Sequence, residues 1–151
     1  MLHLTFCIGP TRFIVDARRV SQVVARVPLR ALPLSEAFVV GLLDFRGNVM
    51  PVVDLATRLF GTSCTSSLGT RIIIVQIKHE DREVPLGLIA EQVTELCQAE
   101  SQMDESPASV IPEHDCLGRI MRIEGELAQW IEVDRVLPES VRHQIFDQFL
   151  G

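Results

Sequence analysis

The chain has 151 residues, 47% of them hydrophobic, and a formal net charge of −6. That size and apolar content suit one domain or two small lobes with a core, and the acidic balance argues against a nucleic-acid backbone as partner. One Trp and no Tyr speak against an aromatic groove for proline-rich peptides or stacked bases.

The N-terminal MLHLTFCIGPTRF lacks a basic start followed by a long apolar run, so no signal peptide is expected. No stretch approaches ~18 uninterrupted apolar residues, and no membrane span is expected. Leu2, Leu4, Phe6 and Ile8 alternate with His3, Thr5 and Cys7, which predicts a half-buried strand. Gly9-Pro10-Thr11 turns the chain and residues 12–16 return, closing a first hairpin. The Val-rich run 20–27 predicts another strand. Pro28 and Pro33 interrupt the next segment, and Ser35 predicts the cap of a short helix over 36–40.

Residues 41–61, GLLDFRGNVMPVVDLATRLFG, read as strand, turn, strand and short helix. Arg46-Gly47-Asn48 interrupts two apolar runs as a turn does. Gly47 is placed there for positive φ. Pro51 cannot donate to a ladder and is expected on an edge or at a bulge. Asp54 predicts an N-cap and Gly61 a left-handed C-terminus. Arg46 then stands at a hairpin tip. A turn arginine is ordinarily solvated; the sharper alternative is an anchor for a partner, since Arg is enriched at interface hot spots.

The small polar stretch 62–69 looks like a linker. The β-branched run 72–75 predicts a strand buried on both faces, 79–82 a charged turn, 84–89 its return and 93–97 a shorter strand. Residues 98–115 carry five acidic residues and no Lys or Arg, and predict a long acidic loop. Residues 116–123 and 127–133 form a last hairpin around Glu124-Gly125. Pro138 opens a closing helix whose stripe of Val141, Ile145, Phe146, Phe149 and Leu150 docks on the body.

The second half echoes the first. Residues 15–23 have a counterpart in 88–96, and Gly41, Gly47 and Asp54 are echoed by Gly118, Gly125 and Asp134. The offset of about half the chain implies two similar lobes, divided near 62–69. Short strands joined by tight turns imply small barrels, with a groove between them lined by residues 20–23 and 93–96.

Catalytic motifs are missing. There is no G-x-S-x-G, G-x-x-x-x-G-K-[ST] or G-x-G-x-x-G. Cys7, Cys64, Cys97 and Cys116 are scattered without C-x-x-C and read as reduced, with Cys7 and Cys97 as small core residues. Of the four histidines, His114 alone has neighbours at ligand spacing, and that local cluster reads as solvated loop. Neither enzyme, metal nor cofactor is expected, and the chain is read as working through surface contacts.

The run Gly41-x4-Arg46-Gly47-x3-Pro51-Val52-Val53-Asp54-Leu55 resembles the signature of the CheW-like family, the coupling proteins of bacterial chemosensory arrays. Val20-Ser21-Gln22-Val23, Gly87-Leu88-Ile89, Leu117-Gly118 and Val133-Asp134 add to the likeness, which spans nearly the whole chain. The resemblance implies a mainly β fold of two intertwined five-stranded SH3-like barrels with short helices and a C-terminal helix. It implies a non-catalytic cytoplasmic adaptor at receptor arrays on the inner face of the membrane. That adaptor would join the cytoplasmic tip of a chemoreceptor to the regulatory domain of a chemotaxis histidine kinase. It further implies that Arg46 contacts the receptor and that Val20, Gln22, Val93 and Leu96 line the groove receiving it. Gly41, Gly47, Pro51 and Asp54 are the structural part of the motif. Gln22 stands where the family often carries Glu, and the acidic loop is also unusual; both suggest a specialised chemosensory pathway. The alternatives are a kinase-regulatory domain or an array-filling scaffold that binds only one partner.

Overall fold

The computed structural model describes residues 2–34, 36–63, 69–93 and 115–150, and residues 97–98 and 102–103 by their backbone. Ser35, Leu96, His114, most of the linker-like stretch 62–69 and most of the acidic stretch 98–115 lie outside the described residues.

The strands are β1 (Leu2–Ile8), β2 (Thr11–Asp16), β3 (Val20–Ala25), β4 (Val39–Phe45), β5 (Asn48–Asp54), β6 (Arg71–His79), β7 (Arg82–Ala90), β8 (Cys97–Gln98), β9 (Gln102–Met103), β10 (Leu117–Ile123) and β11 (Glu126–Ile131). They form two sheets, ordered β8-β1-β2-β11-β10-β9 and β3-β6-β7-β5-β4. With β9 set aside, the orders correspond strand for strand. Each sheet sets a hairpin from one half of the chain beside a hairpin from the other, and the junction is parallel in both, β11 on β2 and β5 on β7. Each sheet therefore needs both halves of the sequence, which is the physical content of the internal echo. The first sheet has six strands where five were expected, because β9 pairs with Met121 and Arg122.

One core joins the sheets: Leu4, Phe6 and Phe13 pack in the same cluster as Val52, Val53, Leu86 and Leu88. Ile72, Ile73, Ile74 and Val75 are all buried, as their unbroken β-branched run predicts. The expected half-burial of β1 is corrected. His3 and Thr5 are buried as well, because that face lies beneath a second small cluster of Ile14, Met121, Ile123 and Ala128, with Trp130 packed edge-on to His3 at 5.1 Å. Cys7 is only half-buried, whereas Cys116 is buried.

The predicted helix over 36–40 does not form. Residues 37–38 turn and Val39 already begins β4, since pairing Val39 with Val53 buries it against the core. α1 (Leu55–Phe60) follows β5, with Asp54 accepting from the Ala56 and Thr57 N–H groups and Gly61 closing it at φ 76°. Pro51 is on neither an edge nor a bulge: β5 is an interior strand. Leu42, its cross-strand partner, directs its own N–H and C=O to Arg30, so this pair needs no bond from Pro51. The β7 ladder starts one residue later, at Val52.

The closing helix is α2 (Glu139–His143) continued by a π-helical turn over Gln144–Phe149. Val141, Ile145 and Phe146 are buried, but Phe149 is 43% exposed. The wider turn, with the Leu150 N–H reaching back to the Ile145 carbonyl, rotates Phe149 off the expected stripe.

Candidate functional site

The tip between β4 and β5 is a two-residue turn in which Arg46 (φ 53°) and Gly47 (φ 84°) are both left-handed. This is the backbone that matches the twist of a hairpin. The Asp44 carboxylate accepts the Gly47 N–H at 3.1 Å. Glycine or asparagine would suit the first turn position better, so backbone preference does not account for arginine there. Glu80 and Glu124 also adopt positive φ, but at two residues of opposite charge. The Arg46 guanidinium lies over the Phe45 ring, 5.0 Å from its centroid. This contact holds the charge at the surface while the ring shields its stem.

Arg46 and Gln22 line one shallow depression of about 420 Å³, together with Ser21, Phe45, Asn48, Met50, Ile74, Gln76 and Pro85. Gln22 lies on β3, one edge of the second sheet, while Arg46 directly follows β4 at the other. In a flat sheet those edges would stand about 19 Å apart, four strand spacings. That both line one hollow reflects the coiling of a barrel-like sheet.

The floor is hydrogen-bonded. Ser21 Oγ donates to the Ile74 carbonyl at 3.2 Å and Gln76 Nε2 donates to Ser21 Oγ at 3.3 Å. The Gln76 carbonyl accepts from Arg19 Nε and Nη2 at 3.0 and 2.8 Å. The same guanidinium pairs with Asp134, whose Oδ1 also accepts the Lys78 N–H at 2.8 Å. Burial pushes the Asp134 carboxyl up, but the Arg19 hydrogen bond, the Lys78 N–H and the charges of both residues outweigh it and hold it below the usual carboxylate range. Asp134 is thus a tie between the halves. The position that matches Asp54 in its hairpin is Glu132, which precedes a 3₁₀ turn and makes no side-chain cap bond.

The remaining predicted site residues fall elsewhere. Val20 is half-buried against the core and does not line the depression. Val93 also packs on the core. It follows Ala90, which pairs with Arg71 beside Ala25, at the end of the sheet away from Arg46. Leu96 lies outside the described residues. Ser21 falls within the predicted groove lining 20–23, whereas Phe45, Met50, Ile74, Gln76 and Pro85 had no distinguishing sequence signal beyond strand membership, although Gln76 is a polar residue inside an apolar run. A second hollow of about 430 Å³ is lined by Arg26, Val27, Pro28, Leu29, Val40 and Ile89.

Comparison with known proteins bears on this arrangement. Residues 2–141 match the family model described as a CheW-like domain. The chain belongs to the CheW-like domain family. The CheW-like domain here is similar to the chemotaxis protein CheW of Rhizobium meliloti (strain 1021), 27% identical over 92% of this chain and 88% of that protein. It is also similar to the chemotaxis protein CheW of Thermotoga maritima, 25% identical over 90% and 87% respectively. In fold it is similar to the scaffolding protein TtCheW from Thermoanaerobacter tengcongensis, with a TM-score of 0.74 at 23% identity over 91% of this chain and 89% of that one. The two-sheet architecture is that of the CheW fold, and the expected SH3-like lobes are consistent with it. Among the described residues no helix is long and apolar enough to cross a membrane.

Proposed function

We propose that this CheW-like domain is a non-catalytic adaptor that couples the cytoplasmic tip of a chemoreceptor to the regulatory domain of a chemotaxis histidine kinase, at arrays on the cytoplasmic face of the membrane. The observation that carries this reading is the convergence of Gln22 and Arg46 on one depression in a chain that matches the CheW-like family from residue 2 to 141. Phe45, Met50, Ile74 and Pro85 supply apolar lining for one face of a helix, and Arg46 supplies a cation for a carboxylate at its edge. Gln22 is neutral, so Arg46 is the charged group of this hollow among its described lining residues. The described lining contains no His, Cys, Asp or Glu to act as a general base, and its one hydroxyl, that of Ser21, is committed to the Ile74 carbonyl with no base beside it to activate it.

Val27 and Val40, exposed beside the second hollow, give apolar surface for the second partner. Coupling requires that receptor state change the fit at the first contact, because a ligand shifts an equilibrium only through differential affinity. Individually weak contacts become firm when many are linked in an array.

Binding of the purified chain to a receptor-tip fragment and to a kinase regulatory domain, each measured separately by calorimetry, tests the reading. Adaptor function requires both. Binding to the kinase domain alone identifies a regulatory module, and binding to the receptor alone an array filler.

A further inference from the structure

The fold brings together two histidines that are far apart in the sequence. His79 ends β6, and its Nε2 lies 3.0 Å from Asp147 Oδ1. His143 ends α2, and its Nδ1 lies 2.7 Å from Asp147 Oδ2 and 3.7 Å from Glu80 Oε1. One donor atom from each of His79, Glu80, His143 and Asp147 falls within 4.8 Å of every other. The hollow sheet face that carries Arg46 contains none of these residues.

We propose that His79, Glu80, His143 and Asp147 bind one borderline divalent transition-metal ion, of the class of zinc(II). Tetrahedral ligands on zinc stand about 3.3 Å apart, given bonds near 2.0 Å. The contacts of His143 with Asp147 Oδ2, His79 with Asp147 Oδ1 and His143 with Glu80 Oε1, at 2.7, 3.0 and 3.7 Å, straddle that value. The four donor atoms span up to 4.8 Å, so the site closes by rotamer adjustment of the three exposed side chains around His79, in which the two imidazole–carboxylate contacts give way to bonds to the ion. Two imidazoles with two carboxylates suit a borderline ion, while magnesium and calcium favour oxygen ligands throughout.

The surroundings fit that role. The His79 side chain is buried, packed against Phe146 with ring centroids 5.4 Å apart, so one ligand is fixed. Glu80, His143 and Asp147 are open to solvent, which gives an ion a way in and leaves room for water as a further ligand. Asp147 sits in the π-helical turn over Gln144–Phe149, a geometry found often at functional positions. Glu80 is the left-handed residue of the β6–β7 turn. An ion here would clamp that turn to the closing helix. The opposing group is Arg82, whose Nη2 lies 3.5 Å from Asp147 Oδ1 and donates to the Phe146 carbonyl at 3.4 Å. It is half-exposed and can swing outward.

The test is calorimetric titration of the full chain, free of any affinity tag, with Zn²⁺ and with Mg²⁺ as control. The expected result is one Zn²⁺ per chain, a raised thermal midpoint and no response to Mg²⁺. His143→Ala and Asp147→Asn change exposed side chains and should each weaken Zn²⁺ binding at least tenfold with the fold intact by circular dichroism. Arg82→Gln should tighten it. Co²⁺ in place of Zn²⁺ should give visible bands without thiolate-to-metal charge transfer. Failure to saturate at one equivalent in the micromolar range overturns the proposal. So does unchanged affinity in both variants, or a thiolate spectrum, which would assign the ion to the cysteines.

Discussion

Arg46 and Glu124 occupy the same place in two hairpins of the same build. Arg46 has φ 53° and is followed by Gly47 at 84°; Glu124 has φ 49° and is followed by Gly125 at 82°. The first turn joins β4 to β5 and the second β10 to β11, and these hairpins hold equivalent positions in their sheets. The backbone is repeated and the charge is inverted.

The pair therefore makes its own control. Arg46→Ala should leave stability within about 0.5 kcal/mol, as surface substitutions usually do, yet weaken binding of a receptor-tip fragment by at least ~1 kcal/mol, or about fivefold. Glu124→Ala alters the same backbone position and should leave that affinity unchanged. Calorimetry on the two variants checks this, and equal effects would show that Arg46 has no special role.

The glycines of this region should differ in severity. A Cβ at Gly47 would meet nothing within 4 Å, so Gly47→Val should cost only the conformational penalty of a left-handed residue, about 1–2 kcal/mol. A Cβ at Gly41 would lie 2.7 Å from the Arg30 carbonyl oxygen and 2.9 Å from Leu29 Cβ. That carbonyl belongs to the bridge between Arg30 and Leu42, so relief requires backbone movement. Gly41→Ala should destabilise more than Gly47→Val, measured by urea unfolding of both.

Asp54 is buried and caps α1, accepting from the Ala56 N–H at 3.0 Å and the Thr57 N–H at 3.4 Å. Asp54→Ala should cost towards the upper end of the ~0.5–2 kcal/mol range for lost caps, since the freed N–H of Ala56 is buried. Asp54→Asn keeps an acceptor and should cost less. Thermal unfolding of the two variants decides the order.

His3 gives a dependence on pH. Neither of its ring nitrogens has a hydrogen-bond partner among the described residues. Burial lowers its pKa below 6.5, against a smaller opposing pull from Asp16. The unfolded chain therefore takes up a proton at a higher pH than the folded one. The His3 contribution to stability should be level above pH 6.5 and fall as pH drops from 6.5 towards the folded-state pKa, at no more than about 1.4 kcal/mol per pH unit. Asp16, lowered chiefly by its hydrogen bond with Arg18, and Asp134 act further down: their contributions are present above about pH 3.8 and lost as pH falls through their folded values. His143, raised chiefly by its hydrogen bond with Asp147, acts with the opposite sign in this window, so the measurement is a difference: urea unfolding at pH 7.5 and 5.5 should show the wild type losing stability relative to His3→Phe at the lower pH.

Much of the β4–β5–α1 unit was legible in the sequence. Its determinants are local: Gly47 for the turn, Asp54 for the cap, Gly61 for the left-handed stop, and apolar runs of strand length between them. The failures mark where distant packing overrode local preference. Residues 36–40 look helical, but Val39 gains more by pairing with Val53. His3 and Thr5 look solvent-facing, but Trp130 and its neighbours, from the far end of the chain, cover them. Phe149 keeps the stripe in sequence and loses it in space because the last turn is π-helical.

The sequence by itself determined the repeat, the hairpins and the candidacy of Arg46, because those depend on residue type and spacing over a few positions. Only the tertiary structure decided that each sheet draws strands from both halves, that Gln22 meets Arg46 across a coiled sheet while Val20 and Val93 do not, and that His79 faces His143 and Asp147. Those relations rest on pairing between segments far apart along the chain, and nothing in the local pattern of either segment encodes the partner.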